Sequence, residues 1–386
     1  MHGLFPRPVF TGFGPFTLTG QEPPLAGGRG RSTRLRGLVR RFAPHLPGVY
    51  GLLDAHDQLL YVGKARSLRS RLQSYFVPSR SDKAAAILRE ARRLVWETLP
   101  DEFAALLREL ELIRRWRPRW NVWGQPQRQR RVYLCLGREP AGYAFVSANP
   151  PTTARGCWGP LPGYRQSREA CDRLNDWYRL RDCPDKQVMR FSDQNELFPV
   201  SYKAGCIRHE LGACLAPCAA ACTRQQYAFH VAAARDFLDG RDRTPLEQLQ
   251  RQIRQAAAEL QFERAAALLE RLERLEWLWR HLERLREARQ ISGIYTVPTA
   301  QGGQTWYGLK HGVVRRVVSV PTDPVHREKA RAELLQFLAG STALGVPALH
   351  EIDGVLLVCS WFRRFPEQRR AIEPLPHPEC RQLETT

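Results

Sequence analysis

The stretch 47–76, PGVYGLLDAHDQLLYVGKARSLRSRLQSYF, limits most tightly how this chain can fold. Val49-Tyr50-Gly51-Leu52-Leu53 is apolar and β-prone, and Leu59-Leu60-Tyr61-Val62 follows it after a run of turn formers, Asp54 to Gln58. Gly63 closes the second strand. From Ser67 onward, Leu68, Leu72 and Phe76 recur at helical spacing, with Arg66, Arg69 and Arg71 set among them. The pattern predicts strand, turn, strand, helix. That arrangement brings Tyr50, Tyr61, Lys64 and Arg71 close enough to share one site.

Charge narrows the function classes. The 386 residues carry 59 Lys and Arg against 39 Asp and Glu, a net charge of +20. Arginine dominates over lysine, which suits phosphate recognition, and the excess of base over acid points to a nucleic-acid partner. A chain of this length predicts two or three domains. No stretch approaches the ~20 apolar residues that a membrane span needs. The opening MHGLFPRPVFTGFGPF lacks the charged start and continuous apolar run of a secretory signal. A cytoplasmic location is therefore expected, with no membrane partner. In such a reducing compartment ten cysteines argue for metal ligation or free thiols rather than disulfides.

Further along, residues 79–100 read as a helix followed by a strand at Leu94–Leu99. Residues 101–122, DEFAALLRELELIRRWRPRWNV, predict an amphipathic helix ending ahead of Pro118. It carries two carboxylates, Glu109 and Glu111, that point in different directions. Strands are expected at Val132–Leu136 and Tyr143–Val146, a loop at Gly156–Pro160, and a helix from Ser167 to Tyr178. Cys206, Cys214 and Cys218 fall in CIRHELGACLAPC, with Cys183 upstream in LRDC. Four thiols so placed suit zinc or an iron–sulfur cluster, and Cys222 is a fifth thiol close by. Cys135, Cys157, Cys171, Cys359 and Cys380 read as plain core or surface residues, as do His209 and His230. Residues 223–240 predict a helix capped by Gly240. Residues 245–289 predict a helical hairpin, with Leu246, Leu249 and Ile253 lining one arm and Phe262, Ala265, Ala266, Leu269 and Leu272 the other. The remainder, 291–386, reads as mixed α/β: strands at Ile291–Val297, Trp306–Leu309 and Val313–Val320, a helix from Glu328 to Leu338, and a buried strand at Val355–Cys359.

Gly48-Val49-Tyr50 and Tyr61-Val62-Gly63 resemble the two signatures of the GIY-YIG nucleases. The continuation Gly63-Lys64-Ala65, Leu68, Arg71-Leu72, Ser74-Tyr75-Phe76 is similar to the UvrC/Cho excinuclease family. The resemblance implies an α+β multidomain chain. It would comprise a flexible basic arm at 1–32, a GIY-YIG nuclease domain at 33–124 and an α/β linker segment at 125–182. A Cys-rich region at 183–240, a UVR-like hairpin at 241–290 and a C-terminal α/β region at 291–386 would follow. It implies Tyr50 as general base or water-positioning group with Tyr61 assisting, and Lys64 and Arg71 on the scissile phosphate. Tyr75 falls at a matched position, and Gly63, Arg66 and Arg69 are expected along the substrate. Its single glutamate falls on Glu109, which would hold Mg²⁺ or Mn²⁺ with waters completing the shell. A free tyrosine, with a pKa of about 10, is a poor base at neutral pH, and a nearby cation would favour its phenolate.

The same resemblance assigns Cys183, Cys206, Cys214 and Cys218 to a [4Fe–4S] cluster, with zinc the alternative. It makes residues 245–289, through LQFERAA, a docking hairpin for a UvrB-like helicase. A self-contained coiled coil is the plainer reading of that hairpin. Asp353 alone cannot hold two metals, so a single active site is expected. The function implied is one incision in damaged double-stranded DNA, on the 3′ side of the lesion. The alternative is an inactive DNA-binding scaffold on the same partner.

Overall fold

The computed structural model describes residues 16–18, 28–56, 58–76, 82–121, 131–184, 186–194, 206–340 and 351–375. Two compact units emerge: residues 1–128, 288–344 and 350–386 in the first, and 129–287 with 345–349 in the second. Among the described residues no helix is long and apolar enough to cross a membrane.

The first unit opens with β1 (Phe16–Leu18), α1 (Gly28–Phe42), β2 (Gly48–Leu53), β3 (Leu59–Ala65), α2 (Leu68–Ser74), α3 (Asp82–Glu90), β4 (Arg93–Thr98) and α4 (Glu102–Trp116). The strands form an antiparallel sheet in the order β1-β4-β2-β3. Asp54 Oδ1 accepts the backbone N–H groups of His56 and Gln58 at 2.8 and 3.0 Å, which closes the turn between β2 and β3. Strand alternation then sorts the side chains. Tyr50 and Leu52 join Leu68, Leu72, Tyr75 and Ile87 in one core, while Val49, Leu53, Val62 and Val95 meet Phe103, Leu107 and Leu110 of α4 in another. The expected arm at 1–32 is corrected in two places: β1 pairs with β4, and α1 starts at Gly28. The rest of that arm, the connector 123–130 and Cys380 lie outside the described residues.

The second unit holds β5 (Arg131–Gly137), β6 (Tyr143–Ser147), β7 (Ala154–Pro162), α5 (Tyr164–Trp177), α6 (Ile207–Glu210), α7 (Arg224–Asp239), α8 (Thr244–Ala258) and most of α9 (Phe262–Arg289). Its sheet runs β6-β5-β7. Gly156–Pro160, expected as a loop, lies inside β7. That strand sits at the sheet edge, where a proline's missing N–H removes no ladder bond. Cys135 and Cys157 are cross-strand partners with their sulfurs 2.8 Å apart, so they form a pair rather than two separate core residues. Thr223 and Gln226 build a capping box at the start of α7, and Gly240 ends that helix in the left-handed region. The hairpin α8–α9 is present, with Leu246, Leu249 and Leu272 buried. Its tip differs from expectation: Phe262 is 67% and Leu269 46% exposed, beside Leu260 in the turn.

The chain returns to the first unit with β8 (Gly293–Pro298), β9 (Gln304–Lys310), β10 (Val313–Ser319), α10 (Pro324–Gly340), α11 (Ile352–Arg364) and α12 (Pro366–Arg370). The strand expected at Val355–Cys359 is instead the middle of α11. The short apolar run hid a longer pattern, in which Ile352, Val355, Val358 and Phe362 recur at helical spacing and are all buried. This region is built against α4. Phe103, fully buried, has its ring 5.4, 4.9, 5.2 and 6.2 Å from those of Tyr295, Tyr307, Trp361 and Phe362. Asp101 caps α4 by accepting the Ala104 N–H at 2.8 Å, while its other oxygen accepts the Tyr307 hydroxyl at 2.7 Å. Arg114 of α4 pairs with Asp353 of α11 at 3.2 Å.

Removing the Phe103 ring leaves a cavity at this joint. Phe103→Ala is expected to cost about 3–5 kcal/mol. Tyr307→Phe, which only strips a partner from the cap carboxylate, is expected to cost about 1–3 kcal/mol. Urea unfolding of the two variants checks both values. Equal, negligible losses would mean that α4 stands without the C-terminal sheet.

Candidate active site

Tyr50 sits directly across from Gly63 in the β2–β3 ladder, and its ring lies over that glycine. A Cβ at position 63 would strike the phenol, so the glycine is what lets the ring lie flat on β3. From there the Tyr50 hydroxyl is 3.0 Å from the Tyr75 hydroxyl at the end of α2, and Arg71 Nε donates to it at 3.3 Å. The Tyr61 and Tyr75 rings stand 6.2 and 5.8 Å from that of Tyr50. Three phenols and one guanidinium therefore form a continuous cluster.

Burial decides their acidity. Desolvation, reinforced by Tyr61, pushes Tyr50 up to about 12, although Tyr75 and Arg71 pull the other way. Burial first, then the neighbouring Tyr75 and Glu109, pushes Tyr61 up to about 12. Tyr75 rises further still, for the same first reason. The pull of a nearby cation toward the phenolate has the expected sign, since Arg71 lowers the Tyr50 pKa, but burial raises it by more. These hydroxyls are neutral at pH 7 and act as hydrogen-bonding groups.

Glu109 reaches the same place from the other side of the sheet, because β3 is an edge strand. Three residues of the segment after β4 satisfy its open edge. Trp120 N–H donates to the Leu60 carbonyl at 3.1 Å, and Asn121 exchanges two 2.9 Å bonds with the Val62 backbone. The Lys64 N–H donates to Glu109 Oε1 at 3.1 Å. Among the described residues no hydrogen bond falls on Oε2. Desolvation pushes Glu109 up to about 7 against the opposing pull of Lys64 and Arg71. A partly buried carboxylate with one oxygen uncommitted fits a hard divalent cation. Glu111 is held elsewhere, accepting from Arg108 at 2.9 Å, and Arg108 in turn binds Glu97 at 3.0 Å.

The remaining basic residues divide. Arg71 is exposed beyond its bond to Tyr50. The Lys64 ammonium lies 3.7 Å from Glu102, which also holds Arg66 at 2.9 Å. Arg69 Nε donates to the Ala43 carbonyl at 2.6 Å, so this arginine ties α2 to the end of α1. Sequence reasoning did not single out three of these neighbours. Asn121 carried a signal, a polar residue just past a helix end that could satisfy a strand edge. Glu102 and Lys83, whose ammonium is 5.7 Å from the Tyr61 ring centre, carried none.

In the second unit Cys183, Cys206, Cys214 and Cys218 line one cavity of about 170 Å³ with Met189, Arg208 and His209. Burial raises the Cys214 and Cys218 thiols, with the neighbouring cysteine thiols adding to it. Among the described residues no three His, Cys, Asp or Glu side chains are grouped so as to hold one metal ion. Cys222 is buried in the neighbouring core, and His230 bonds the Tyr178 carbonyl at 3.0 Å.

Residues 46–122 match the family profile described as the UvrC-like GIY-YIG domain. This chain carries a UvrC-like GIY-YIG domain. It is 33% identical over 238 residues to the UvrABC system protein C of Desulforudis audaxviator, covering 62% of this chain and 37% of that protein. It is 28% identical over 320 residues to the Idiomarina loihiensis protein of the same name, covering 78% and 48%. The chain thus spans about a third to a half of the length of these relatives. A solved GIY-YIG N-terminal endonuclease domain of UvrC from Thermotoga maritima, bound to magnesium, is 35% identical. The match covers 23% of this chain and 97% of that one, with a TM-score of 0.22. The GIY-YIG domain here encloses the whole β2–β3 hairpin, α2 and the Glu109 segment.

A cation on Glu109 of this GIY-YIG domain requires the ionised carboxylate. With that group near pH 7, Mn²⁺ affinity is expected to rise between pH 6 and 8 and to level off above, since the tyrosines titrate far higher. Calorimetric titration across that range checks it, and an affinity independent of pH would contradict it.

Proposed function

We propose that this chain is a metal-dependent DNA endonuclease of nucleotide excision repair, making one cut on the 3′ side of a lesion from a single site. The observation that carries the reading is the shared edge of β3, where Glu109 and the Tyr50–Tyr75–Arg71 cluster meet. Hydrolysis of a phosphodiester needs an oriented water and positive charge for the phosphate and the departing oxygen. The neutral Tyr50 hydroxyl accepts a hydrogen bond from that water and aims it, while Tyr75 and Arg71 fix the phenol in place. Positioning, rather than resting phenolate base strength, is the role its raised pKa supports. Arg71 keeps its terminal nitrogens for a phosphate oxygen, which they can grip in a charge-assisted bond. Glu109 would hold Mg²⁺ or Mn²⁺, which supplies positive charge at the scissile phosphate.

Damaged duplex is the substrate that the excess of basic residues suits. A UvrB-like helicase is the partner we assign to the α8–α9 tip, where Leu260, Phe262 and Leu269 stand exposed together. We assign the four thiols to an iron–sulfur cluster. The four thiols share the lining of one cavity, which is the feature that supports this reading. A brown anaerobic preparation is expected, and a colourless one would count against the cluster.

Single-turnover nicking of lesion-bearing duplex with Mg²⁺ tests the catalytic reading. Tyr50→Phe and Glu109→Ala are each expected to slow nicking by about 10²-fold or more with unchanged circular dichroism. Wild-type rates in either variant would defeat it. Phe262→Ala with Leu269→Ala should leave the intrinsic rate intact and abolish its stimulation by the helicase.

A further inference from the structure

The helix α1 precedes the matched domain and is unusual in its charge. Gly28–Phe42 contains Arg29, Arg31, Arg34, Arg36, Arg40 and Arg41 and no carboxylate. Its inner face is fixed. Val39 and Ala43, both fully buried, pack in the same core as Tyr50, Leu68, Leu72 and Tyr75. The start of α2 is bonded to the segment that leaves the helix: Arg69 N–H donates to the Pro44 carbonyl and Leu68 N–H to the Leu46 carbonyl, each at 3.0 Å. Arg69 Nε adds its bond to Ala43. The helix is therefore held against the element that carries Arg71 and ends at Tyr75.

Its outer face is the informative one. Thr33, Arg36, Gly37, Arg40 and Arg41 are exposed and fall on one arc of the helix. Arg36 and Arg40 are one turn apart, about 6 Å along the axis. Among the described residues no carboxylate pairs with Arg36, Arg40 or Arg41. The Arg41 guanidinium rests 5.1 Å from the centre of the half-exposed Phe42 ring. Elsewhere in this protein exposed arginines pair routinely with acids, as Arg165 does with Glu169 and Arg168 with Asp172. A row of arginines without an acid partner among the described residues, on a helix packed beside the site, is complementary to a row of phosphates.

We propose that α1 is a DNA-backbone clamp, in which Arg36, Arg40 and Arg41 bind duplex phosphates flanking the scissile bond without reading bases. This rests on the DNA reading above and adds the surface that holds the duplex. Such contacts fix the register of a duplex on the protein and release counterions on binding.

The test uses the full-length chain without divalent metal, so that binding is read apart from cleavage. Anisotropy titrations of a labelled duplex are run from 50 to 200 mM salt. The variant carries Arg36→Gln, Arg40→Gln and Arg41→Gln, and an Arg→Lys triple variant is its charge-preserving control. Losing three phosphate contacts is expected to weaken binding about tenfold or more and to flatten the log–log salt slope by about 2–3. The lysine control should keep most of that slope. At saturating DNA with Mg²⁺, the nicking rate of the glutamine variant should match the wild type. An unchanged affinity and slope in the glutamine variant would overturn the clamp while leaving the nuclease reading intact. A wild-type chain that does not bind duplex at all would overturn both.

Discussion

The Tyr50 ring lying over Gly63 is the contact on which the rest of the site depends. A backbone without a side chain at position 63 brings a large phenol down onto β3. Only from that position does the hydroxyl meet both Tyr75 and Arg71, which arrive on a helix that follows the strand almost at once. The glycine of the second signature and the tyrosine of the first are thus two halves of one packing arrangement. Their pairing through the ladder explains why both must appear, and at that spacing.

The second constraint is the open edge of β3. An edge strand exposes N–H and C=O groups that must find partners. Here Trp120, Asn121 and Glu109 provide them, so satisfying the strand and delivering a carboxylate to the site are the same structural act. The partial burial that this requires also raises the affinity of the Glu109 carboxyl for its proton. The helix bearing Glu109 is held in turn from behind. Asp101 caps it and accepts from Tyr307, while Phe103 fills an aromatic box made by β8, β9 and α11. The C-terminal segment thereby acquires a physical role as the support of α4.

Much of this was legible in the sequence, for identifiable reasons. The β2–β3–α2 unit is local, and its strand propensity, turn formers and helical spacing agree with one another. The family pattern pointed to Glu109 over Glu111, and in the fold Glu111 is engaged by Arg108, which also binds Glu97. What failed was long-range or ambiguous. Val355–Cys359 is too short a window to separate a buried strand from a buried helix, and only the flanking Ile352 and Phe362 reveal the period. The Gly-Pro of β7 looked like a loop because strand position within a sheet cannot be read from residue order. The Asp101–Tyr307 bond joins residues 206 positions apart, and no local pattern announces it. The depressed acidity of the tyrosines also escaped sequence reasoning, since burial is a property of the assembled core.

The central claim is that one carboxylate, Glu109, holds the cation beside the Tyr50 hydroxyl at the edge of β3. Anomalous scattering from crystals soaked in Mn²⁺ locates that ion directly. The account predicts a single strong peak in this domain, within coordination distance of a Glu109 oxygen and on the side facing Tyr50 and Arg71. A peak on Glu111 or Glu97 with none at Glu109 would contradict it.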